Sequence, residues 1–154
     1  MNRISLRLCL GFIVALSLSI LPVPEFMSAL RPPWILLLVL YIEYFLPNQF
    51  KLLALLVVGL LLDVLLATII GEHAFALLLV TWLASTNSRR FQFFPMMQQI
   101  FLIGFFCLLY QAVISLIDAL LGFNYSLFYP LGSALVGMFF WPWIRLLGDD
   151  TLFA

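Results

Sequence analysis

Asp63 is the residue of this sequence whose position most strongly suggests a chemical role. It interrupts the longest apolar run of the chain, and Gly59, Asp63 and Ala67 follow one another at four-residue spacing. On a helix this spacing places the three residues on one face, where small neighbours let another backbone approach and hydrogen-bond to the carboxyl group. The pattern predicts a helix-packing seam around Asp63, and a direct role in a partner or ligand site stays open as the alternative.

Two other groups of polar residues are candidates for chemistry. Gln111, Ser115 and Asp118 form a stripe at spacings of four and three, which neighbouring helices or interfacial water can satisfy. His73 is the single histidine, and no cysteine, aspartate or histidine lies at metal-ligand spacing from it. We expect His73 to serve a turn or an interface and not a metal site.

Sequence motifs that support catalysis are missing. The sequence shows no Ser-His-Asp constellation, no phosphate-cradling glycine loop and no Cys/His cluster. Seven basic residues balance seven acidic ones, with no basic run that would attract nucleic acid. We therefore expect no enzyme activity, no cofactor, no metal ion and no nucleic-acid partner.

The elements that carry these residues are predicted to be membrane helices. Of the 154 residues, 66% are hydrophobic and only 9% are charged, with a mean hydropathy of +1.20, whereas soluble domains are about a quarter charged. Backbone polar groups in lipid must pair within the protein, and continuous apolar runs fit helices better than the alternating strands of a barrel. The sequence predicts an all-α integral membrane protein with one transmembrane domain, residues 1–154.

Turn signals divide the chain into a bundle of six transmembrane helices. The first apolar segment also has the appearance of a signal peptide, but no Ala-x-Ala cleavage site follows it, which favours a retained span. Gly71 and Glu72 alone separate the third span from the short fourth one. The predicted spans cover about residues 6–21, 30–46, 51–70, 73–86, 96–121 and 126–147.

The distribution of basic residues predicts the orientation of the bundle. An even number of spans puts both termini on one side, and six of the seven basic residues fall on that side, with only Arg31 on the other. We therefore predict cytoplasmic termini, with the turns at Arg31 and His73 facing outward. Trp82, Trp141 and Trp143 lie near cytoplasmic helix ends and are expected to be interfacial anchors.

Taken in chain order, several motifs resemble those of the MreD family of rod-shape-determining membrane proteins. The resemblance covers nearly the whole chain, although no single motif is specific. The motifs are Arg31-Pro-x-Trp34, Gly59-x3-Asp63, Gly71-x-His73-Ala74, Gln98-Gln99 and Trp141-Pro142-Trp143.

The resemblance implies a non-enzymatic, multi-pass protein of the bacterial inner membrane. It would be a subunit of the cell-elongation complex that scaffolds peptidoglycan synthesis, binding MreC and, through or beside it, RodA, a class B penicillin-binding protein and MreB. Membrane lipid surrounds such a protein, and the formation of a homo-oligomer is left open. The candidate structural or partner-binding residues are Gly59, Asp63, Ala67, Arg31 and His73.

A second function competes with scaffolding. MreD-like folds resemble the substrate-binding subunits of energy-coupling-factor transporters, which makes a small-molecule binding or transport subunit the alternative, although fold alone carries no function. Asp63→Ala is expected to weaken partner recovery or folding, and Asp63→Asn much less if hydrogen bonding is what counts.

Overall fold

The chain folds into seven α-helices and one 3-10 helix within residues 3–46 and 52–152, which the computed structural model describes, and these residues contain no β-strand. The 3-10 helix, Glu25–Leu30, lies between the first two α-helices. The α-helices are α1 (Arg3–Ile20), α2 (Trp34–Phe45), α3 (Leu52–Leu65), α4 (Glu72–Ser85), the short α5 (Ser88–Phe91), α6 (Met96–Leu120) and α7 (Phe128–Leu152).

The helices differ in whether they are long enough to cross a membrane. Four described segments have the required length and apolar composition, namely Arg3–Ile20, Glu25–Phe45, Met96–Leu120 and Phe128–Asp149. Helices α3 and α4 are also apolar but contain 14 residues each, or about 21 Å of helix, against a hydrocarbon core of about 30 Å. The predicted all-helical fold is confirmed, with four segments that have the dimensions of membrane spans.

Helix α3 is shorter than the sequence predicts. It ends at Leu65 instead of about residue 70, and a turn over residues 66–71 separates it from α4. Two residues of this turn have left-handed backbones, Ala67 with φ 52° and Gly71 with φ 99°. The predicted start of the third span at Lys51 lies outside the described residues.

Helix α7 is longer than the sequence predicts. It continues to Leu152 and passes Gly148, the residue expected to end it. Pro142 lies inside the helix and cannot donate a backbone hydrogen bond there.

Helix α2 lies at the centre of the bundle, in contact with α1, α4, α6 and α7. Near its C-terminal end Tyr44 stacks on Phe91, with 3.6 Å between ring centroids. Trp141 packs against the same Phe91 and is fully buried, so the expectation of an interfacial anchor is wrong for this residue. Trp82 and Trp143 are exposed, as an anchor must be.

Six helix ends meet at one end of the bundle, which we call the Arg31 end. Here α1, α3 and α6 finish, while α2, α4 and α7 begin. The opposite end, which we call the Gln99 end, contains α5, the start of α6 and the last turns of α2 and α7. Polar side chains from distant parts of the sequence therefore meet at each end.

Candidate functional site: a polar cavity at the Arg31 end

Asp63 is fully buried near the end of α3, where it accepts hydrogen bonds from the start of α4. Its Oδ2 accepts from the backbone N–H of Gly71 at 2.8 Å. Its Oδ1 lies 2.9 Å from the backbone nitrogen and 2.8 Å from Nδ1 of His73, and the Thr68 hydroxyl approaches it at 3.4 Å. Because the two backbone groups must donate, both carboxylate oxygens act as acceptors, an arrangement that suits the ionised form.

The turn before α4 explains why a carboxylate is needed at this place. The first N–H groups of a helix have no partner within it, and an N-cap side chain usually accepts from one of them. The N-cap of α4 is Gly71, which has no side chain and whose φ of 99° favours glycine. Asp63 supplies the missing acceptor from the preceding helix and places its negative charge at the positive end of α4.

His73 is oriented by this carboxylate. Its Nδ1 donates to Asp63, which leaves Nε2 as the acceptor in the neutral ring. The Thr68 hydroxyl lies 3.3 Å from the same Nδ1. In a Ser-His-Asp triad the hydroxyl lies at the other ring nitrogen, so Asp63, His73 and Thr68 do not form one.

His73 lines a cavity of about 630 Å³ at the Arg31 end, which we call the polar cavity. Its lining combines apolar side chains of the bundle with hydroxyl, amide and ionisable groups from six helix ends. The polar lining residues include Arg31, Thr68, Glu72, His73, Gln111 and Asp118. A volume of this size lies within the roughly 300–1,000 Å³ typical of ligand sites.

Side chains of opposite charge face the polar cavity without pairing. His73 pairs with Asp63, and of the described lining residues neither Glu72 nor Asp118 forms an ion pair with the Arg31 guanidinium. Glu72 is buried, with 4% of its surface exposed, while Arg31 and Asp118 are partly exposed. The cavity therefore presents one cation and two carboxyl groups at separate positions.

The structure brings together three of the five predicted site residues on the wall of the polar cavity. These are Arg31, Ala67 and His73. Asp63 lies behind His73 and does not reach the surface, since its exposed fraction is zero. The turns at Arg31 and His73 lie at the same end of the bundle, because two antiparallel helices, α2 and α3, lie between them in the chain.

The predicted seam on α3 faces another helix of the same chain. A Cβ atom at Gly59 would lie 2.8 Å from Cβ and 3.0 Å from the backbone nitrogen of Ala74, so α3 and α4 pack backbone against backbone here. The prediction that Ala67 continues this face is wrong, because the helix ends two residues before it. Gly59 and Asp63 thus join α3 to α4.

Sequence reasoning missed a second buried polar cluster at the Gln99 end. Gln99 is fully buried, and its Nε2 donates to the carbonyls of Phe91 and Phe94 at 3.2 and 3.1 Å. Its Oε1 accepts from a guanidinium nitrogen of Arg145 at 2.8 Å. The position of a glutamine in the first turn of an apolar helix was the available signal. The cluster joins the turn before α6 to α7.

The described part of the chain holds no group of three or more His, Cys, Asp or Glu residues that could bind a metal ion.

Comparison with known proteins gives a consistent family. The family model described as rod shape-determining protein MreD matches residues 2–149. The chain is also 25% identical over 136 residues to the rod shape-determining protein MreD of Haemophilus influenzae, an alignment that covers 88% of this chain and 84% of that protein. No solved structure gives a significant match.

Proposed function

Since this chain belongs to the MreD family of rod shape-determining proteins, we propose that it is a non-enzymatic membrane subunit of the bacterial cell-elongation complex. The family match over residues 2–149 is the observation that carries this proposal, because it includes both ends of the helical bundle. In this role the protein holds MreC and the peptidoglycan synthases together in the inner membrane.

The proposed partners are MreC, RodA, a class B penicillin-binding protein and MreB. The lateral surface of the bundle supports binding of single membrane spans, because it is apolar and exposed. On α1, for example, Leu10, Ile13 and Val14 are 54–58% exposed. Spans associate in lipid by close packing and a few polar contacts, so a partner helix can replace lipid on such a face.

We propose six spans with both termini in the cytoplasm. The four long segments cross directly, and α3 with α4 forms the third and fourth spans. Non-helical backbone within a membrane is tolerated where protein covers it or a water-filled cavity adjoins it. The turn over residues 66–71 fits the second condition, since four of its residues line the polar cavity, and Asp63 accepts its N–H at Gly71.

Co-purification from mild detergent tests the scaffolding role. Photo-crosslinking residues belong at accessible positions in each part of the bundle, namely Arg31, Ala67 and Trp143, and not at the buried Asp63. We expect MreC in the purified complex and crosslinked to at least one position, and rounded cells on depletion. Rod-shaped cells after depletion, with no MreC recovered, would contradict the proposal.

The topology is tested separately with reporter tags at the two ends and at the Arg31 turn. Cytoplasmic signals from both ends, with an external signal from the turn, are expected. Opposite compartments for the two ends would refute an even number of spans.

One observation favours the competing function of a small-molecule binding or transport subunit. The polar cavity has the volume of a ligand site and collects most of the ionisable side chains of the Arg31 end. Two results together would favour this function over scaffolding. A small ligand would raise the melting temperature of the purified protein, and cells depleted of the protein would keep their rod shape.

A further inference from the structure

The wall of the polar cavity contains a buried hydroxyl group whose hydrogen-bonding capacity is unused. Ser133, near the start of α7, is 3% exposed, and its Oγ has no hydrogen-bond partner among the described residues. A buried polar group without a partner costs about 1–3 kcal/mol, so its presence beside a cavity points to a partner that the cavity admits.

Tyr110 contributes a second hydroxyl-bearing side chain to the cavity wall, from the neighbouring helix. Tyr110 lies on α6, lines the same cavity and is 3% exposed. Two hydroxyl groups on adjoining helices, each able to donate and accept, thus border one space.

The charges around this space define what would fill it. Arg31 can bind an anionic oxygen, and Asp118 can bind a cationic amine, yet the two are not paired with each other. His73 adds a neutral acceptor, because Asp63 holds its Nδ1 as the donor. A purely anionic ligand would leave the carboxyl groups of Glu72 and Asp118 without a counter-charge, and a purely cationic one would leave Arg31 without one, which is costly as water is displaced from an apolar setting.

We propose that the polar cavity is a binding site for a small zwitterion that carries a primary ammonium group and a phosphate. The phosphate meets Arg31 and the hydroxyl of Ser133, and the ammonium group meets Asp118 and Nε2 of His73. The chemistry is that of phosphoethanolamine, either free or as the headgroup of phosphatidylethanolamine. Such binding does not depend on the scaffolding role, because the site consists of residues of this chain alone.

The test measures ligand binding to delipidated full-length protein in detergent. Native mass spectrometry and thermal melts are recorded with four probes, namely phosphoethanolamine, glycerol 3-phosphate, dioleoyl-phosphatidylethanolamine and dioleoyl-phosphatidylglycerol. We expect the two ethanolamine probes to bind at least about tenfold more tightly than the two glycerol probes, since the latter lack the ammonium group. Tighter binding of the diacyl lipid than of phosphoethanolamine identifies the lipid as the source, whereas equal binding identifies the free compound.

Variants of the cavity wall locate the site. Arg31→Gln, Asp118→Asn and Ser133→Ala should each weaken binding, the two charge changes by about tenfold or more. Matched controls change the same residue types away from the cavity and should bind as the unmodified protein does. They are Arg89→Gln, Asp149→Asn and Ser17→Ala.

Several results would overturn the proposal. It fails if no ethanolamine probe binds, if the glycerol probes bind equally well, or if the three cavity variants bind like their controls. Ser133→Ala removes one oxygen without changing charge, so it keeps the test valid if a charge variant does not fold. If no probe binds but the cavity variants lose MreC on co-purification, a protein side chain occupies the cavity and the zwitterion is excluded.

Discussion

The Oδ1 atom of Asp63 accepts two hydrogen bonds from His73, one from its backbone N–H at 2.9 Å and one from Nδ1 at 2.8 Å. The two residues lie ten positions apart, on either side of the turn over residues 66–71. A single carboxylate therefore fixes the turn, the first residues of α4 and the orientation of an imidazole on the wall of the polar cavity. Its removal is expected to affect folding and the cavity together.

Substitution of Asp63 tests this arrangement. Asp63→Ala leaves the N–H groups of Gly71 and His73 without their acceptor, and we expect a loss of about 3 kcal/mol in the free energy of unfolding. Asp63→Asn should lose about 1–2 kcal/mol, because the amide has one acceptor oxygen where the carboxylate uses two. Unfolding in SDS, followed by tryptophan fluorescence, measures both losses.

This ranking refines what the sequence suggested for the asparagine variant. An asparagine at position 63 must direct its NH₂ group towards one of two backbone donors, so it cannot behave like the unmodified residue. Asp149→Asn, on an exposed turn of α7, is the matched control and should leave stability unchanged. Equal stability of Asp63→Asn and the unmodified protein would show that one carboxylate oxygen is dispensable.

The close packing of α3 on α4 predicts opposite effects of the same substitution at two glycines. Gly59→Ala places a methyl group against the backbone of Ala74 and should cost about 1–3 kcal/mol. Gly11→Ala, on α1, meets Leu38 at an ordinary 3.6 Å and should gain up to about 1 kcal/mol of helix propensity. Melting temperatures in one detergent should therefore move in opposite directions. A neutral Gly59→Ala would mean that the two helices are further apart.

Hydropathy and turn residues were sufficient to predict the six longer α-helices and their order, but not the 3-10 helix or the short α5, since the long apolar runs depend on local composition alone. They did not predict where α3 ends, because the Asp63 hydrogen bonds are made only after α4 has packed beside α3. The same holds for Trp141, whose flanking residues indicate an interface but whose burial depends on Phe91, in a different helix. Contacts between distant residues decided these positions.

The candidate site was predictable only in part for a related reason. The two helices predicted between Arg31 and His73 placed both residues at one end, but the helix order gave no information on which side chains meet there. The pairing of Asp63 with His73 depends on the left-handed backbones of Ala67 and Gly71, and alanine gives no sign that it adopts one. Ser133 has no distinguishing sequence context at all.

The hydrogen bonds of the buried Gln99 lead us to expect that a negative charge at this position lowers the stability of the protein. Gln99→Glu places a negative charge beside the Arg145 guanidinium, which is favourable. It also removes the NH₂ group that donates to the carbonyls of Phe91 and Phe94. Two carbonyl oxygens then face a carboxylate, and we expect a net loss of about 1–3 kcal/mol by SDS unfolding. Gln98→Glu, on the exposed side of the same turn, is the control and should be neutral. A stabilised Gln99→Glu would show that the ion pair outweighs both carbonyl contacts.

The left-handed backbone of Ala67 leads to a prediction for Ala67→Gly. The sign of its effect on stability distinguishes the observed turn from the continuous helix that the sequence predicted. In a helix, replacing alanine by glycine costs about 1 kcal/mol. At φ 52° the alanine Cβ is itself strained, by roughly 1–2 kcal/mol, and glycine relieves that strain while adding some freedom to the unfolded chain. Ala67→Gly should therefore be neutral or stabilising, whereas the control Ala54→Gly, at an exposed position inside α3, should be destabilising by about 1 kcal/mol. Equal losses in the two variants, measured as melting temperatures in the same detergent, would place residue 67 in a continuous helix and remove the turn on which the Asp63 contacts depend.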